Sequence, residues 1–551
     1  MTNYWYKDAI IYSLDVKSFI DSNGDGIGDL AGLMQGLDYL TCLGINCIWM
    51  LPFYPSPLED AGYDITDYYN VDERIGSLQE FVRLAEQAKE RGIRIMADLV
   101  VNHTSNQHPW FLEARADKHS RYRDYYIWLD EKPANDGPDI VFPGVQESNW
   151  AFDETAGAWY YHTFYSHQPD LNVSSPIVQK EIEEIIRFWL QMGVDGLRID
   201  AVPHILRNKG PEKFDGDPHA FLRSLRKLTD EHGKGVVLMG EADTKPESYK
   251  AFFGESDQLH MLLNFYLNNH LYLALAQHSA APLSRSLNVL LPHAGIRDQF
   301  ANFVRNHDEL DLEQLTEKER QQVFDAFAPE PDMRIYGRGI RRRLPPMLHN
   351  DQRRIKLVYS LLFSLPGTPV LRYGEEIGMG DMLSLKERNS IRTVMQWANK
   401  QNGGFSTAPP DQLVWPVISD GTYGFETVNV ADQANKRDSL LNTVSNMISI
   451  RKSYRAFGAG EYDVIETDHP GVLVHIARRD ASVAVVLHNF TGEAINLPVP
   501  LSADERRYFT EILSDHPYEK FNGSTDYIEL RPYGYRWLYK WPLAMIIENN
   551  P

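Results

Sequence analysis

Eight short apolar runs between residues 9 and 378 restrict the fold of this chain more than any other feature. They occupy 9–16, 45–51, 93–101, 196–200, 236–242, 259–265, 300–306 and 368–378. Helix-like segments such as SLQEFVRLAEQAKERG and PIVQKEIEEIIRFWLQMG separate several of them. Buried parallel strands are continuously apolar, and a crossover helix must join each strand to the next. The runs therefore predict an α/β fold, a (β/α)8 barrel, with a doubly wound sheet as the alternative.

Two stretches interrupt the alternation of strand and helix. Residues 104–175 are rich in Trp, Tyr, Pro, Asp and Asn and show little helical periodicity, which predicts an inserted subdomain. Residues 456–551 alternate with period two between turn signals, which is typical of an antiparallel β-sandwich. The predicted barrel therefore comprises 1–103 and 176–455.

The charge and composition exclude several classes of partner. The formal net charge is −21, whereas nucleic acids and anionic membranes bind clustered Lys and Arg. No apolar stretch reaches the roughly 18 residues of a membrane span, and no secretory leader is visible. We expect a cytoplasmic protein with a small neutral substrate and two buried, reduced thiols, Cys42 and Cys47. Homo-oligomerisation stays open.

Polar side chains gather at the carboxyl ends of four of the apolar runs. These side chains are Asp98, Asn102 and His103 at the end of the third run, Arg198 and Asp200 at the end of the fourth, Glu241 at the end of the fifth, and His307 and Asp308 at the end of the seventh. In a barrel all these ends meet at one face, where active sites form. The pattern predicts one shared site.

The carboxylates of this site suit the hydrolysis or transfer of a glycoside. Two carboxyl groups that flank a glycosidic bond supply a nucleophile and an acid. Arg198 lies two residues before Asp200 on a strand, so we expect it to hold the pKa of Asp200 down. Glu241 has small and apolar neighbours, which we expect to raise its pKa. Asp308 provides a third carboxylate to stabilise the transition state or grip sugar hydroxyls.

The same segments resemble the signature regions of a known family. DLVVNH (98–103), GLRIDA (196–201), GEA (240–242) and RNHD (305–308) resemble, in order, four regions of the α-amylase superfamily, glycoside hydrolase family 13. QPDLN (168–172) and GYDITDY (62–68) resemble two further segments. The resemblance covers essentially the whole chain. It implies a retaining enzyme with a covalent glucosyl intermediate, an inserted domain B and a C-terminal domain C.

The resemblance also implies a role for individual residues. Asp200 resembles the nucleophile, Glu241 the acid/base and Asp308 the transition-state stabiliser. The residues that resemble the family's substrate contacts are Tyr63, Asp64, His103, Phe164, Gln168, Arg198, His307 and Arg392. Asp64 and Arg392 resemble the pair that grips the far hydroxyl of a terminal glucose in exo-acting members. That pair implies a closed pocket for maltose, trehalose or another short α-glucoside rather than starch.

Within the superfamily the chain is most similar to the trehalose synthase subfamily, which isomerises maltose and trehalose. Motifs such as LPFYPSPLEDAGYDI, NHTSNQHPWF and SLPGTPVLRYGEEIGMGD carry this resemblance. Three features depart from the subfamily's pattern: ADTKP (242–246), AVPHILRNKG (201–210) and Val394. An α-glucosidase therefore remains an alternative, and a non-catalytic carbohydrate-binding or partner protein is an alternative of another class.

A loop after the first run predicts a structural calcium site. DSNGDGIGD offers oxygen ligands at alternate positions, namely Asp21, Asn23, Asp25, the Ile27 carbonyl and Asp29. Ca²⁺ favours such hard oxygen ligands, and the family resemblance supports the site. The GDGIGD string within it mimics a dinucleotide fingerprint, but its acidic residues would repel pyrophosphate. We therefore expect no organic cofactor.

The segment GRGIRRRLPP (337–346) is a basic stretch in an acidic chain. It lies between the seventh and eighth runs, over the predicted catalytic face. Two interpretations stay open: a lid that closes the pocket against water, or salt bridges to another domain.

Overall fold

The computed structural model describes residues 4–133, 140–207, 209, 216–233, 235–293, 295 and 297–541. The predicted domain ends at 1–3 and 542–551, and Asn208 and Gly210 of AVPHILRNKG, lie outside the described residues. No helix among the described residues is long and apolar enough to cross a membrane.

Eight parallel strands close a barrel, and each overlaps one of the predicted apolar runs. In sequence order, with short strands of other sheets also numbered, they are β1 (Ile11–Leu14), β2 (Cys47–Met50), β3 (Arg94–Leu99), β7 (Gly196–Ile199), β8 (Val237–Gly240), β9 (Met261–Leu263), β10 (Gln299–Phe303) and β14 (Thr368–Arg372). Strand β1 pairs with both β2 and β14, so the sheet has no edge. The barrel prediction is confirmed, and the doubly wound alternative is wrong.

Side chains alternate between the two faces of each barrel strand, and both faces are buried. Ile11, Trp49, Met96, Met239 and Val370 fill the interior. Side chains of opposite orientation pack outward against the helices in the main core. Cys47 also lies inside, whereas Cys42 is exposed on the first helix, so the prediction that both thiols are buried is wrong for Cys42.

Helices surround the barrel and also occur in the inserted segment and in the C-terminal part. They are α1 (Leu30–Leu43), α2 (Leu78–Glu90), α3 (Pro109–Ala116), α4 (Pro176–Met192), α5 (Val202–Leu206), α6 (Ala220–His232), α7 (Tyr249–Phe253), α8 (Phe265–Gln277), α9 (Ala281–Leu290), α10 (Glu317–Phe327), α11 (Leu344–Met347), α12 (Gln352–Ser364), α13 (Val430–Ala434), α14 (Leu440–Ser453) and α15 (Ala503–Arg506).

Helix α4 shows how the sequence sets these boundaries. Proline at its first position needs no amide hydrogen, and Gly193 ends the helix at a φ of 107°, a left-handed conformation that glycine adopts readily. Ile182, Ile186 and Trp189 fall on one face at helical spacing and are buried. This face packs the helix onto the barrel and fixes where its neighbouring loops emerge.

The segment between β3 and α4, which includes the stretch 104–175 predicted to be an inserted subdomain, contains a small sheet of its own. Its strands are β4 (Trp128–Leu129), β5 (Trp150–Asp153) and β6 (Ala158–Tyr161), in the order β4-β6-β5. A second small sheet, β11 (Leu310–Asp311), β12 (Arg334–Ile335) and β13 (Gly339–Ile340), lies between β10 and β14 in sequence. Both additions follow barrel strands at their carboxyl ends, so they lie around the catalytic face.

The C-terminal part forms two antiparallel sheets around a common core. Strands β15 (Glu461–Ile465), β16 (Val472–Arg479), β17 (Ser482–Asn489), β21 (Tyr535–Lys540) and β19 (Phe509–Ser514) form the larger sheet in that order, and β18 (Ile495–Pro498) pairs with β20 (Tyr527–Leu530). Val474, Leu487 and Leu538 of the first sheet share a core with Leu497 and Ile528 of the second. This arrangement confirms the predicted antiparallel C-terminal domain.

Candidate active site

Three carboxylates from different barrel strands line one cavity of about 330 Å³. Asp200 directly follows β7, Glu241 directly follows β8, and Asp308 lies in the loop after β10. The carboxyl ends of barrel strands meet at one face, which is why residues so distant in sequence converge. The structure thus brings together all three carboxylates predicted to be catalytic.

Arg198 connects the carboxylates at the base of this site. Its Nη1 lies 2.6 Å from Asp98 Oδ1 and 2.8 Å from Asp200 Oδ1, and its Nη2 lies 2.7 Å from Glu241 Oε2. The arginine is only 1% exposed, so solvent screens these contacts little. One guanidinium charge is therefore shared among three carboxyl groups.

Burial outweighs this shared arginine in setting the acidity of Asp200 and Glu241. Burial raises the pKa of Asp200 to about 6, although Arg198 opposes the shift. Arg198 lowers the pKa of Asp200 as predicted, but the expectation of a net lowered pKa is wrong because the desolvation of this buried carboxyl group outweighs the arginine. Burial likewise raises the pKa of Glu241 to about 7, as the apolar neighbours predict. Asp200 is the stronger acid, which suits it to attack and Glu241 to donate a proton.

Glu241 rests against Asp200 rather than across a gap from it. Its carboxyl hydrogen-bonds to Asp200, and the Ala201 amide donates to its Oε2 at 3.1 Å. Ala201 has a φ of 48°, a left-handed conformation that turns the chain sharply just after Asp200. Retaining glycosidases hold their two carboxyl groups about 5–5.5 Å apart. The hydrogen-bonded carboxyl groups of Glu241 and Asp200 are closer together than that in this structure.

Asp308 is held as an anion by basic neighbours. Arg388 Nη1 lies 2.8 Å and Arg392 Nη2 lies 2.9 Å from its Oδ1, and His307 Nε2 lies 3.1 Å from its Oδ2. Burial alone would raise the pKa of Asp308, but Arg388, His307 and Arg392 together hold it well below the usual value. A fixed negative charge at this position can stabilise an oxocarbenium-like transition state.

Tyr63 forms a flat wall beside the carboxylates. Its ring stacks on His307 with centroids 5.2 Å apart and planes inclined by 9°. Its hydroxyl donates to Asp98 Oδ2 at 2.9 Å and lies 2.7 Å from His307 Nε2. His103 also lines the cavity, with Nε2 3.0 Å from the Tyr63 carbonyl and its ring 5.3 Å from that of Phe164.

The predicted pairing of Asp64 with Arg392 is not present. The Asp64 carboxylate accepts hydrogen bonds from Ser56 Oγ at 2.8 Å and from the Glu59 and Asp60 amides, so it closes a turn outside the cavity. Asp60 takes its place in the cavity and accepts from Arg388 Nη2 at 2.8 Å. Asp60 lies three residues before Tyr63 in LEDAGYD, on the turn that the Asp64 carboxylate stabilises. This spacing is the signal in the sequence that would have identified Asp60 as a residue of the cavity.

Four predicted site residues lie behind the cavity wall. They are Arg198, Gln168, His307 and Arg392. Gln168 Nε2 donates to Asp60 Oδ2 at 3.0 Å, and Arg392 Nε donates to the His307 carbonyl at 3.1 Å. These residues position the groups that face the sugar rather than touching the open volume. Sequence reasoning missed Asp60 and Arg388.

We refer to Asp60, Tyr63, Asp200, Asp308 and Arg388 as the paired set, since each has a polar partner within the wall. A second group, the unpaired set, consists of His204, Thr244 and Glu309, which line the same cavity. Their Nδ1, Oγ1 and Oε2 atoms are buried without a hydrogen-bond partner among the described residues.

Buried polar atoms rarely stay unpaired because each costs free energy. Burial lowers the pKa of His204 to about 4, so its ring is neutral near pH 7 and can donate or accept a hydrogen bond. His204 and Thr244 lie in two of the segments that depart from the trehalose synthase pattern, 201–210 and 242–246. The unpaired set thus offers polar atoms whose hydrogen-bond partners the described residues do not supply.

The basic segment 337–346 contributes one side chain to the cavity. Arg338 Nε lies 2.7 Å from Asp311 Oδ2, and its Nη1 donates to the Val141 carbonyl of the inserted segment at 3.0 Å. Arg343 is 2% exposed and donates to the Tyr373 and Ile391 carbonyls. At the rim of the cavity, Arg338 therefore connects Asp311 with the inserted segment. The rest of the segment 337–346 is anchored in the barrel loops.

The loop predicted to bind calcium lies between β1 and α1. Asp21 accepts hydrogen bonds from the Gly24 and Gly26 amides, and Asp29 accepts from Ser22 and from the Gly32 amide at the start of α1. Among the described residues no three His, Cys, Asp or Glu side chains converge as a metal-binding group. The carboxylates are thus engaged with their own loop, and the calcium site stays a prediction.

Comparison with known proteins gives one family and several full-length relatives. The alpha-amylase catalytic domain matches residues 11–460. The chain is 41% identical over 545 residues to the trehalose synthase/amylase TreS of Mycobacterium tuberculosis (strain ATCC 25618 / H37Rv), covering 97% of this chain and 90% of that protein. It is 29% identical to the oligo-1,6-glucosidase of Bacillus cereus, covering 97% and 99%. The trehalulose synthase MutB from Pseudomonas mesoacidophila MX-45 superimposes with a TM-score of 0.78 at 26% identity, covering 97% and 99% of the two chains.

Proposed function

Because the chain belongs to the alpha-amylase family, we propose that it interconverts maltose and trehalose through a covalent glucosyl intermediate on Asp200. The observation that carries this proposal is a cavity in which ion-paired catalytic groups and unpaired polar atoms lie side by side. The former suit one glucosyl unit, and the latter suit a second sugar that stays bound after the bond breaks.

The first half of the reaction transfers the glucosyl unit to the protein. Glu241, which is protonated below its raised pKa of about 7, donates its proton to the glycosidic oxygen. The Asp200 carboxylate attacks the anomeric carbon, the bond from that carbon to the glycosidic oxygen breaks, and glucose leaves. The anionic Asp308 stabilises the positive charge that develops on the sugar ring.

The second half of the reaction returns the glucosyl unit to the retained glucose. That glucose turns so that its anomeric hydroxyl faces the intermediate, and the Glu241 carboxylate removes the hydroxyl proton. The oxygen attacks the anomeric carbon and displaces Asp200, which restores the α configuration after two inversions. The unpaired set of His204, Thr244 and Glu309 supports this step, since it can bind the glucose between the two attacks.

The second candidate is an α-glucosidase, in which water instead of the retained glucose accepts the glucosyl unit. The match to the oligo-1,6-glucosidase and the departures at 201–210 and 242–246 favour it. Incubation of the purified protein with maltose, trehalose and sucrose, followed by chromatography, separates the two candidates. We expect trehalose from maltose, maltose from trehalose, and glucose as a minor product of both. Glucose alone from maltose would reject the isomerase, and no product from any substrate would reject both.

Three further features belong to the same proposal. Calcium in the 21–29 loop would be structural, because its proposed ligands Asp21, Asn23, Asp25, Ile27 and Asp29 lie in the turn before α1. Metal analysis checks this directly, and a melting temperature unchanged by chelator would contradict it.

A cytoplasmic location is supported by the two free cysteines and is checked by cell fractionation. The proposed partner is a neutral disaccharide.

A further inference from the structure

A second cavity, of about 440 Å³, lies on the outside of the barrel where the inserted segment joins it. Its lining comes from the loop after β2, the first turn of α3, the 121–125 segment and α4. Its lining includes Asp67, Tyr69, His108, Trp110, Tyr122 and Glu181. None of its lining residues lines the catalytic cavity. We call it the aromatic cavity.

Aromatic rings with polar edges form the walls of this cavity. Trp110 lies nearly parallel to Tyr68 at 5.7 Å between centroids and to Tyr122 at 6.1 Å, with interplanar angles of 25° and 23°. Trp110 and Tyr122 remain partly exposed. Arg121 lies over the Tyr122 ring, 4.5 Å from its centroid. Tyrosine and tryptophan combine a flat apolar face with a polar edge, so such walls suit a ligand with both kinds of surface.

His108 gives the aromatic cavity an unsatisfied hydrogen-bond donor. Its Nδ1 accepts from the Trp110 amide at 3.1 Å, so the proton of the neutral ring is on Nε2. Burial lowers the pKa of His108 to about 3, which keeps the ring neutral. The side chain is 3% exposed, and its Nε2 has no partner among the described residues. A buried N–H group of this kind requires an acceptor.

The charges around the cavity narrow the class of ligand that supplies this acceptor. Tyr69 donates its hydroxyl to Glu181 Oε1 at 2.7 Å, and the carboxylates of Glu181 and Asp67 outnumber the one arginine of the lining, Arg121, so the cavity disfavours an anion. A cation would suit the aromatic rings, but it cannot accept a hydrogen bond from His108 Nε2. A neutral polyol satisfies both conditions because each hydroxyl accepts one hydrogen bond and donates another.

We propose that the aromatic cavity binds one molecule of a neutral α-glucoside such as maltose, with a sugar hydroxyl accepting the hydrogen bond of His108 Nε2. The sugar packs against the exposed parts of Trp110 and Tyr122, and Glu181 accepts from a second hydroxyl. The choice of sugar rests on the proposed function, but the binding does not depend on isomerisation. The volume falls within the usual range of small-ligand sites, roughly 300–1,000 Å³.

Calorimetric titration with maltose tests this proposal. The Asp200→Asn variant prevents turnover, and we expect it to bind one maltose more per chain than the Asp200→Asn/Tyr122→Ala double variant. Asp200→Asn/Tyr122→Leu keeps apolar bulk at this position and should lose the same binding event. The matched control is Asp200→Asn/Tyr527→Ala, which removes a tyrosine that is 61% exposed in the C-terminal domain and should retain it.

Equal numbers of bound maltose molecules in the single variant and both Tyr122 variants would overturn the proposal, provided that their melting temperatures agree. Displacement of the additional maltose by tetramethylammonium chloride, but not by sodium chloride at equal concentration, would reassign the cavity to cations and also overturn it. Turnover of maltose by the parent enzyme is measured separately. Its absence would contradict the proposed function, whereas the number of bound molecules reports on this cavity alone.

Discussion

The paired and unpaired sets of the catalytic cavity differ in what they require from a ligand. Asp60, Asp200 and Asp308 each contact an arginine within the wall, so that part of the cavity has its charges in place before substrate arrives. His204 and Thr244 have buried polar atoms without a hydrogen-bond partner in the described part of the chain. Preorganised charge serves the bond-breaking chemistry, whereas unpaired atoms serve the binding of a sugar that comes and goes. Mutations in the two sets should therefore have different consequences.

Loss of the nucleophile should have the largest effect. Asp200→Asn keeps the shape of the side chain but removes the ionised oxygen that forms the covalent bond. We expect kcat for maltose to fall by on the order of 10⁴-fold or more, with little change in melting temperature. Assays on maltose, trehalose and an aryl α-glucoside check this, and near-parental activity on any of them would show that another group attacks.

Loss of the proton donor should have a smaller and substrate-dependent effect. Glu241→Gln should reduce turnover of maltose by roughly 10²–10⁴-fold. Aryl α-glucosides with acidic phenols need less proton donation, so their first step should survive better. The measurement is a leaving-group series of aryl glucosides. A uniform loss across that series would contradict the acid role of Glu241.

Asp60 and Asp64 offer a matched pair that sharpens the comparison. Asp60→Asn removes one charge from the pair with Arg388 in the cavity, and we expect kcat/KM for maltose to fall about tenfold to a hundredfold. Asp64→Asn changes the turn behind it, so it should lower the melting temperature more than it lowers kcat/KM. Steady-state kinetics and thermal unfolding of both variants check this. A larger kinetic loss in Asp64→Asn would restore the pairing that the sequence predicted.

Changes of pH near neutrality should alter kcat/KM less than the substitutions above do. Asp200 must be ionised to attack, so kcat/KM should fall below pH 6 as its carboxylate is protonated. Glu241 must be protonated to donate, so kcat/KM should also fall above pH 7 as its proton is lost. Because the two groups interact, the limbs of the profile belong to the pair. Glu241→Gln should abolish the alkaline limb, and an unchanged alkaline limb in that variant would assign it elsewhere.

The sequence predicted the barrel and the three catalytic carboxylates better than the unpaired set. Strand positions follow from continuous apolar runs. Asp200 and Glu241 directly follow strands and Asp308 lies in the loop after one, so their place on the catalytic face follows from topology. The exchange of Asp64 for Asp60 shows the limit, because both lie on one turn and only the hydrogen bonds of Asp64 reveal which carboxylate faces inward. The pKa of Asp200 is raised because burial outweighs Arg198, which two further carboxylates share, and linear spacing reveals neither the burial nor the sharing.

The most direct test of the account is a maltose digest that contains isotopically labelled free glucose. The account predicts that trehalose forms with little label, because the unpaired set retains the glucose released from the same maltose molecule. Thr244→Val, which removes the hydroxyl of the unpaired set, should increase the labelled fraction and the share of free glucose. Trehalose labelled to the level of the free glucose would contradict retention, and glucose without trehalose at any time would contradict isomerisation itself.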